Sequence, residues 1–249
     1  MMNIRKLFLR AAVLLFPPRC LYCGNPTAGG AFCEACLDLW ESEGGLTCPV
    51  CGCTAPFCRC TEMNSMKPVS AVSRFYAVNP ERDGGKMTHD LILRNKTVCS
   101  EEIAALLMRG TARRIQEIFR ENGENPCDWC VTYPPRNPEN LLRYGFDHGE
   151  VLAQALARYL GIPCVRTLFR CGGEVQKELG GGERFENAAS SLAPIRNAVV
   201  PGGKYIIADD VITTGATVTA AAELLYGCGA ASVFPTACAR TMVSGRQNV

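Results

Sequence analysis

Two adjacent carboxylates, Asp209 and Asp210, follow a short apolar run, Tyr205 to Ala208, and precede Val211-Ile212 and a turn of small residues, Thr213-Thr214-Gly215-Ala216-Thr217. Ionised carboxylates only accept hydrogen bonds, so such a pair suits the vicinal hydroxyls of a sugar, with any Mg²⁺ held by ligand oxygens and water. The turn carries nothing bulky. Backbone amides can close around a phosphate there, and the hydroxyls of Thr213, Thr214 and Thr217 add donors. From Thr217 onward Val218, Ala221, Ala222 and Leu225 recur at helical spacing, with Gly227 and Gly229 as the stop. The start of that helix offers unpaired amides and a positive dipole to an anion.

The apolar run is bounded by the turn Pro201-Gly202-Gly203 and contains β-branched Ile206 and Ile207, which predicts a strand. Its uniform apolarity suits a strand covered on both faces, as in a parallel sheet, where ligands bind at the carboxyl ends of the strands. Consecutive strand side chains point to opposite faces, so both carboxylates meet one sugar only if the turn begins at Asp210.

The other end of the chain has different chemistry. Of 16 cysteines, nine lie between Cys20 and Cys60. Cys20, Cys23, Cys33 and Cys36 form two C-x2-C knuckles, a tetrathiolate zinc spacing. Cys48, Cys51, Cys58 and Cys60 form a second, less regular set with Cys53 left over inside it, so a ligand exchange with Cys53 stays open. A disulfide framework is the competing reading and needs an oxidising compartment. Arg5, Lys6 and Arg10 imitate a signal-peptide start, but the apolar run Ala11 to Phe16 is too short for one and ends in Pro17-Pro18-Arg19. It is also too short to span a bilayer. Ile4, Leu7, Phe8, Ala11, Leu14 and Leu15 form a helical stripe expected to pack on the protein itself, a peripheral membrane or partner helix being the alternative. The expectation is a cytoplasmic protein without stable membrane insertion, whose clustered thiols hold zinc. Four thiolates leave no open position, so the zinc is structural, at one or two sites, and it orders a segment with little apolar material of its own.

The remaining cysteines, Cys99, Cys127, Cys130, Cys164, Cys171, Cys228 and Cys238, read mostly as inert core thiols. The formal charge of +2 argues against nucleic-acid binding over a broad surface. After a polar link from Cys60 to Val69, Val72, Phe75, Tyr76 and Val78 predict a strand or hairpin, followed by a helix over Thr88 to Arg94. Ser100 reads as the N-cap of a long helix, Ile103 to Phe119, with Glu101 and Glu102 in its first turn. A strand from Asp128 to Tyr133, a helix from Phe146 to Leu160 stopped by Gly161, and a strand from Cys164 to Phe169 form a β-α-β unit. Ser232 to Thr236 supplies a last strand. The alternation predicts an α/β fold with a doubly wound, mostly parallel sheet over residues 67–249, preceded by a helix and small zinc-ribbon-like module over residues 1–66.

The strand, acidic pair and T-T-G-x-T turn resemble the 5-phosphoribosyl-1-diphosphate (PRPP) signature of type I phosphoribosyltransferases. The whole chain resembles the ComF family, which joins a zinc-ribbon-like module to such a domain. The matching pieces are Phe16 to Cys20, Leu91-Ile92-Leu93-Arg94-Asn95-Lys96, Pro135 to His148 ending YGFDH, Gln176 to Leu179 with Glu183-Arg184 and Asn187, and the signature itself. The usual RGFN is altered here, with Tyr144 in place of the arginine and Asp147 in place of the asparagine, which leaves Arg143 or Arg136 to supply that anion contact. By resemblance, Asp209 and Asp210 hold the ribose 2′- and 3′-hydroxyls, and Thr213, Thr214, Gly215, Ala216 and Thr217 wrap the 5′-phosphate. The diphosphate needs Mg²⁺ and cations, for which Arg136, Arg143, Lys177 and Arg184 are candidates. The last two lie in Gly172 to Asn187, a glycine-rich segment suited to a lid, or else a mobile surface loop. His89 and His148, the only histidines, read as structural groups, with a functional role for His148 as the alternative. Without a general base, the nucleophile comes from an unidentified base or amine acceptor. The rival class is a non-catalytic PRPP-sensing or single-stranded-DNA-binding protein, since the resemblance implies DNA uptake and competence proteins as partners. A homo-oligomer stays open.

Overall fold

The computed structural model describes residues 17–58, 60, 71–171 and 191–242. The expected N-terminal stripe, the link after Cys60, the segment Gly172 to Asn187, Lys177 and Arg184 lie outside the described residues or mostly so.

Four parallel strands form the central sheet in the order β1 (Arg74–Tyr76), β6 (Ser232–Thr241), β5 (Lys204–Ile212) and β2 (Trp129–Thr132). β5 is central, and Tyr205, Ile206, Ile207 and Ala208 are all buried, as a strand covered on both faces requires. One face packs against helices α3 (Lys86–Thr97), α4 (Glu101–Asn122) and α6 (His148–Leu160) through Leu91, Ile92, Leu107, Ile115, Leu152 and Leu156. The other packs against α7 (Ala216–Gly227) through Val218, Ala221 and Leu225. Helices on both faces of a parallel sheet make the doubly wound architecture. Local chemistry sets the helix ends. Ser100 Oγ accepts the Ile103 amide at 3.2 Å to start α4, while Gly123 and Gly161, at φ 69° and 68°, end α4 and α6.

The segment after α6 departs from expectation. Cys164 forms a single parallel bridge with Val131, and Leu168–Arg170 (β3) then pairs antiparallel with Leu192–Pro194 (β4) as a separate two-stranded sheet. The Thr132 and Thr167 hydroxyls meet at 2.6 Å, and Leu168 leaves β2 to enter the second core. Helices Glu34–Gly44 (α1), Pro80–Asp83 (α2) and Pro138–Tyr144 (α5) were not expected. Cys99 and Cys127 are exposed rather than core residues, and Cys238 alone of the later cysteines is buried. Among the described residues no helix is long and apolar enough to cross a membrane.

The cysteine-rich segment shares the main core. Cys20, Phe32 and Cys36 pack in the same cluster as Leu91, Leu107 and Ile206, while Cys48, Ala55 and Cys58 pack on Phe75 of β1.

Candidate functional site

β5 runs on to Ile212, so both aspartates lie within the strand and the turn begins three residues beyond Asp210. The sheet solves the facing problem differently. Ile206 and Ala208 share one core with Val211, whereas Tyr205 and Ile207 share the other with Ile212. Strict alternation cannot give that pattern, so the facing of the side chains shifts phase between Ala208 and Val211, although the register to β6 stays unbroken, with Asp209 opposite Ala237 and Val211 opposite Ala239. Asp209 and Asp210 lie at that shift, and the Lys96 charge acts on both. Their own carboxylates take up the local amides: Asp210 N–H donates to Asp209 Oδ1 at 2.8 Å, and Val211 N–H to Asp210 Oδ1 at 2.6 Å.

Asp210 is buried, and its Oδ2 meets Lys96 Nζ at 2.8 Å and His148 Nε2 at 3.1 Å. Burial opposes its ionisation, but the His148 hydrogen bond and the Lys96 charge prevail and hold it down to about 2. Among the described residues Asp209 has no such direct side-chain partner, and burial together with the neighbouring Asp210 charge pushes it up to about 6. Burial also works against the Lys96 ammonium, yet the charges of Asp210 and Asp209 keep its pKa above the ordinary lysine value. Arg170 is lowered by burial and countered by Asp209 and Asp147.

In the turn after β5, Thr213 is exposed and Gly215 is buried at φ 79°, a left-handed conformation that a side chain would strain. Gly215 leaves α7 without a side-chain cap. The nearest hydroxyl is Thr214 Oγ1, 3.4 Å from the Ala216 amide. The first turn of α7 thus lacks an internal anion of the kind that helix starts recruit.

The loop after β2 closes the site's third side. Arg136 is buried, and its amide donates to Asp147 Oδ2 at 2.8 Å. Its guanidinium donates to the carbonyls of Lys96 at 2.8 Å and Phe146 at 3.4 Å, and lies 4.3 Å over the Tyr144 ring. Asp147 Oδ1 accepts the Gly149 amide at 2.9 Å and so caps α6. Two oxygens each hold one amide, a task an asparagine side chain with a single acceptor oxygen cannot match. Tyr144 serves as the platform for Arg136. Arg143 is exposed 5.4 Å from the Tyr144 ring, and among the described residues nothing pairs with its charge.

The structure therefore groups Asp209, Asp210 and Arg136 with Lys96 and Arg170, which sequence reasoning did not place there, and with His148, whose functional role was the alternative reading. Lys96 sat in a family-matching stretch with no chemical cue, and its partner is remote in sequence. His89 is structural, with Nδ1 2.9 Å from the Ala77 carbonyl and its ring stacked on Tyr76.

In the cysteine-rich segment, the Sγ atoms of Cys20, Cys23, Cys33 and Cys36 lie within 4.8 Å of one another, as do those of Cys48, Cys51, Cys58 and Cys60. Cys23 and Cys33 are 3.6 Å apart and Cys51 and Cys58 are 3.8 Å apart. Four thiolates about 2.3 Å from one zinc stand roughly 3.8 Å apart, so both sets fit a tetrahedral zinc. Burial disfavours the Cys20 thiolate, but the amides of Cys23, Cys33 and Tyr22 hold it down to about 6, which favours the metal-binding form. Cys53 Sγ is 3.7 Å from the Cys51 carbonyl, outside the second set of four. No described cysteine is paired in a disulfide.

The phosphoribosyl transferase domain family matches residues 147–245. The DNA utilization protein YhgH of Salmonella typhimurium is 30% identical over 241 residues, covering 92% of this chain and 100% of that protein. YhgH of Escherichia coli K12 is 27% identical over 237 residues with the same coverage. An adenine phosphoribosyltransferase from Syntrophotalea carbinolica is 37% identical over 83 residues, 33% of this chain and 47% of that protein.

Proposed function

The chain belongs to the ComF family, and on that premise we propose that it binds PRPP at the β5–α7 junction and transfers the phosphoribosyl group to a base or amine, releasing diphosphate. The observation that carries this reading is the acidic pair at the phase change of β5, followed at once by a helix start that supplies no cap of its own. Asp209 and Asp210 accept the ribose hydroxyls, while the amides and hydroxyls of Thr213 to Thr217 enclose the 5′-phosphate. A Mg²⁺ ion, held by ligand oxygens and water rather than by a protein cage, would supply positive charge to the diphosphate when bound. As the bond from the anomeric carbon to diphosphate breaks and the bond to the acceptor nitrogen forms, positive charge gathers on the sugar, and the neighbouring carboxylates stabilise it. The acceptor nitrogen gives up its proton to water, so the products are the phosphoribosylated acceptor, diphosphate and a proton. Arg136, whose guanidinium is already fixed against Tyr144, orders the loop beside the leaving group, and Lys177 and Arg184 are proposed as further diphosphate contacts. Arg143 is kept as an outer anion contact. The two cysteine sets are proposed to hold one structural zinc each.

Titration calorimetry with PRPP, with and without Mg²⁺, tests the binding. Micromolar or tighter affinity lost in Asp209→Ala/Asp210→Ala is expected, and no binding by the native chain refutes it. Turnover is read as diphosphate release in the presence of a panel of nucleobases and amines.

The YhgH relatives are named for DNA utilization, and one observation favours a DNA-linked reading beside the first. A cavity of about 530 Å³ between the cysteine-rich segment and α4 is lined by Arg109 and Arg113 beside Trp40, one face of which the Arg74 guanidinium covers at 3.3 Å, so its cations are of the kind single strands use. Binding of single-stranded DNA that weakens steeply with salt supports it, and no binding at low salt removes it.

A further inference from the structure

We propose that Lys96 contacts the anionic ligand of the sugar site and that Glu43, in the cysteine-rich segment, is the positioning residue that sets Lys96 through helix α3. The first half rests on the PRPP reading above.

Lys96 stands at the C-terminal end of α3 with its ammonium 2.8 Å from Asp210 and its side chain 37% exposed, so it balances the acidic pair and still faces solvent. PRPP brings a phosphate and a diphosphate to a site whose own strand supplies two carboxylates. A cation at this point is what lets those charges share one site. The Lys96 carbonyl also accepts from Arg136, so one residue orders both the acidic pair and the loop opposite.

The other end of α3 is not self-sufficient. Its N-cap is Gly85, which provides no side-chain bond. Instead Glu43, at the end of α1 and buried, accepts the Met87 amide at 2.7 Å, the Thr88 amide at 2.8 Å and the Thr88 hydroxyl at 2.8 Å. This carboxylate satisfies the orphan amides and complements the helix dipole from a different element. Two more bonds fix α3 to the first cysteine set: Arg94 Nη1 donates to the Leu21 carbonyl at 2.6 Å, and Tyr22 Oη donates to Asp90 Oδ2 at 3.0 Å. A 12-residue helix spans roughly 18 Å and moves as one body, so a shift at Met87 and Thr88 is delivered at Lys96.

The test is calorimetric titration of the full zinc-loaded chain with Mg²⁺ and PRPP, with zinc content checked in every variant. Lys96→Met is expected to weaken binding about ten- to a hundredfold and Lys96→Arg only a few-fold. Glu43→Gln is expected to weaken it about three- to tenfold, and the double variant Glu43→Gln/Lys96→Met to bind no worse than Lys96→Met alone, since both act through one group. A merely structural Glu43 gives a lowered Tm with unchanged affinity, or losses that add, and either outcome overturns the relay. Unchanged affinity in Lys96→Met overturns the contact. If Glu43→Gln fails to fold, Thr88→Val, which deletes one of the three bonds to Glu43, takes its place with about a threefold loss. If the native chain binds no PRPP, the contact falls with the PRPP reading. The relay is then decided by the ¹⁵N ammonium resonance of Lys96 in the ligand-free protein: displacement in Glu43→Gln upholds it, and an unmoved signal overturns it.

Discussion

Asp209 and Asp210 are the same side chain one residue apart, yet burial and a neighbouring negative charge drive the first up to about 6 while a histidine and a lysine hold the second down to about 2. The consequences for stability have opposite signs. Asp210, depressed in the folded state, contributes stability that is present above the unfolded carboxylate value near 3.8 and is lost as pH falls toward 2. Asp209, raised in the folded state, costs stability once ionised, so acidification from about 7 through 6 toward 4 relieves the fold. Asp209→Asn is therefore expected to stabilise the protein at pH 7.5 by about 1–3 kcal/mol and by less at pH 5, as read by urea denaturation, while weakening PRPP binding. An equal effect at both pH values would contradict the raised carboxyl. The same group makes native affinity for PRPP fall as pH drops below about 6 in calorimetry from pH 8 to 5. Because phosphate esters titrate nearby, residual binding by Asp209→Asn calibrates the ligand's own contribution.

Helix α4 approaches the opening strand closely at Gly110, where an added Cβ would stand 2.7 Å from Ser73 Cβ and 3.0 Å from Ser73 Oγ. Ser73 cannot easily retreat, because its amide and hydroxyl both donate to the Cys238 carbonyl and its hydroxyl receives the Thr111 hydroxyl at 3.2 Å. Alanine gains about 1 kcal/mol of helix propensity over glycine. Overpacking a fixed neighbour costs about 1–3 kcal/mol. The second effect is larger, so Gly110→Ala is expected to lose about 1–2 kcal/mol in urea denaturation, and a gain would show that Ser73 yields. Elements with strong local chemistry were legible in the sequence: Ser100 starts α4, Gly161 ends α6, and the run Tyr205 to Ala208 is a fully covered strand. The full length of β5 was hidden because Asp209 and Asp210 look like a loop, although parallel pairing to β6 carries the backbone through them. The pairing of β3 with β4 was hidden because Leu168 chooses a core made by distant segments. Lys96 was hidden for the same reason, since only tertiary packing brings it to Asp210, and the replacement of asparagine by Asp147 became intelligible only with both of its amide partners in view.

The whole molecule is built so that its cysteine clusters are not interchangeable. The first buries Cys20, Phe32 and Cys36 in the main core beneath α3 and α4. The second rests on Phe75 and is tied down by Arg240 of β6, whose guanidinium donates to the Cys58 carbonyl. A structural zinc site is worth roughly 10 kcal/mol in a small module, comparable to the whole stability of an ordinary domain at about 5–15 kcal/mol. Loss of the first site therefore reaches the sheet that carries Asp209 and Asp210, whereas loss of the second is confined more nearly to its own small cluster. Elemental analysis is expected to give two zinc ions per chain in the native protein and in Cys53→Ser, because Cys53 stands outside the second set of four. Cys60→Ser is expected to retain one zinc with a modest fall in Tm, and Cys36→Ser to retain at most one with loss of the cooperative thermal transition. One zinc in the native chain, or two in Cys60→Ser with one in Cys53→Ser, would reassign the second set. Equal thermal losses in Cys36→Ser and Cys60→Ser would show that sharing the main core gives the first cluster no special hold on the fold.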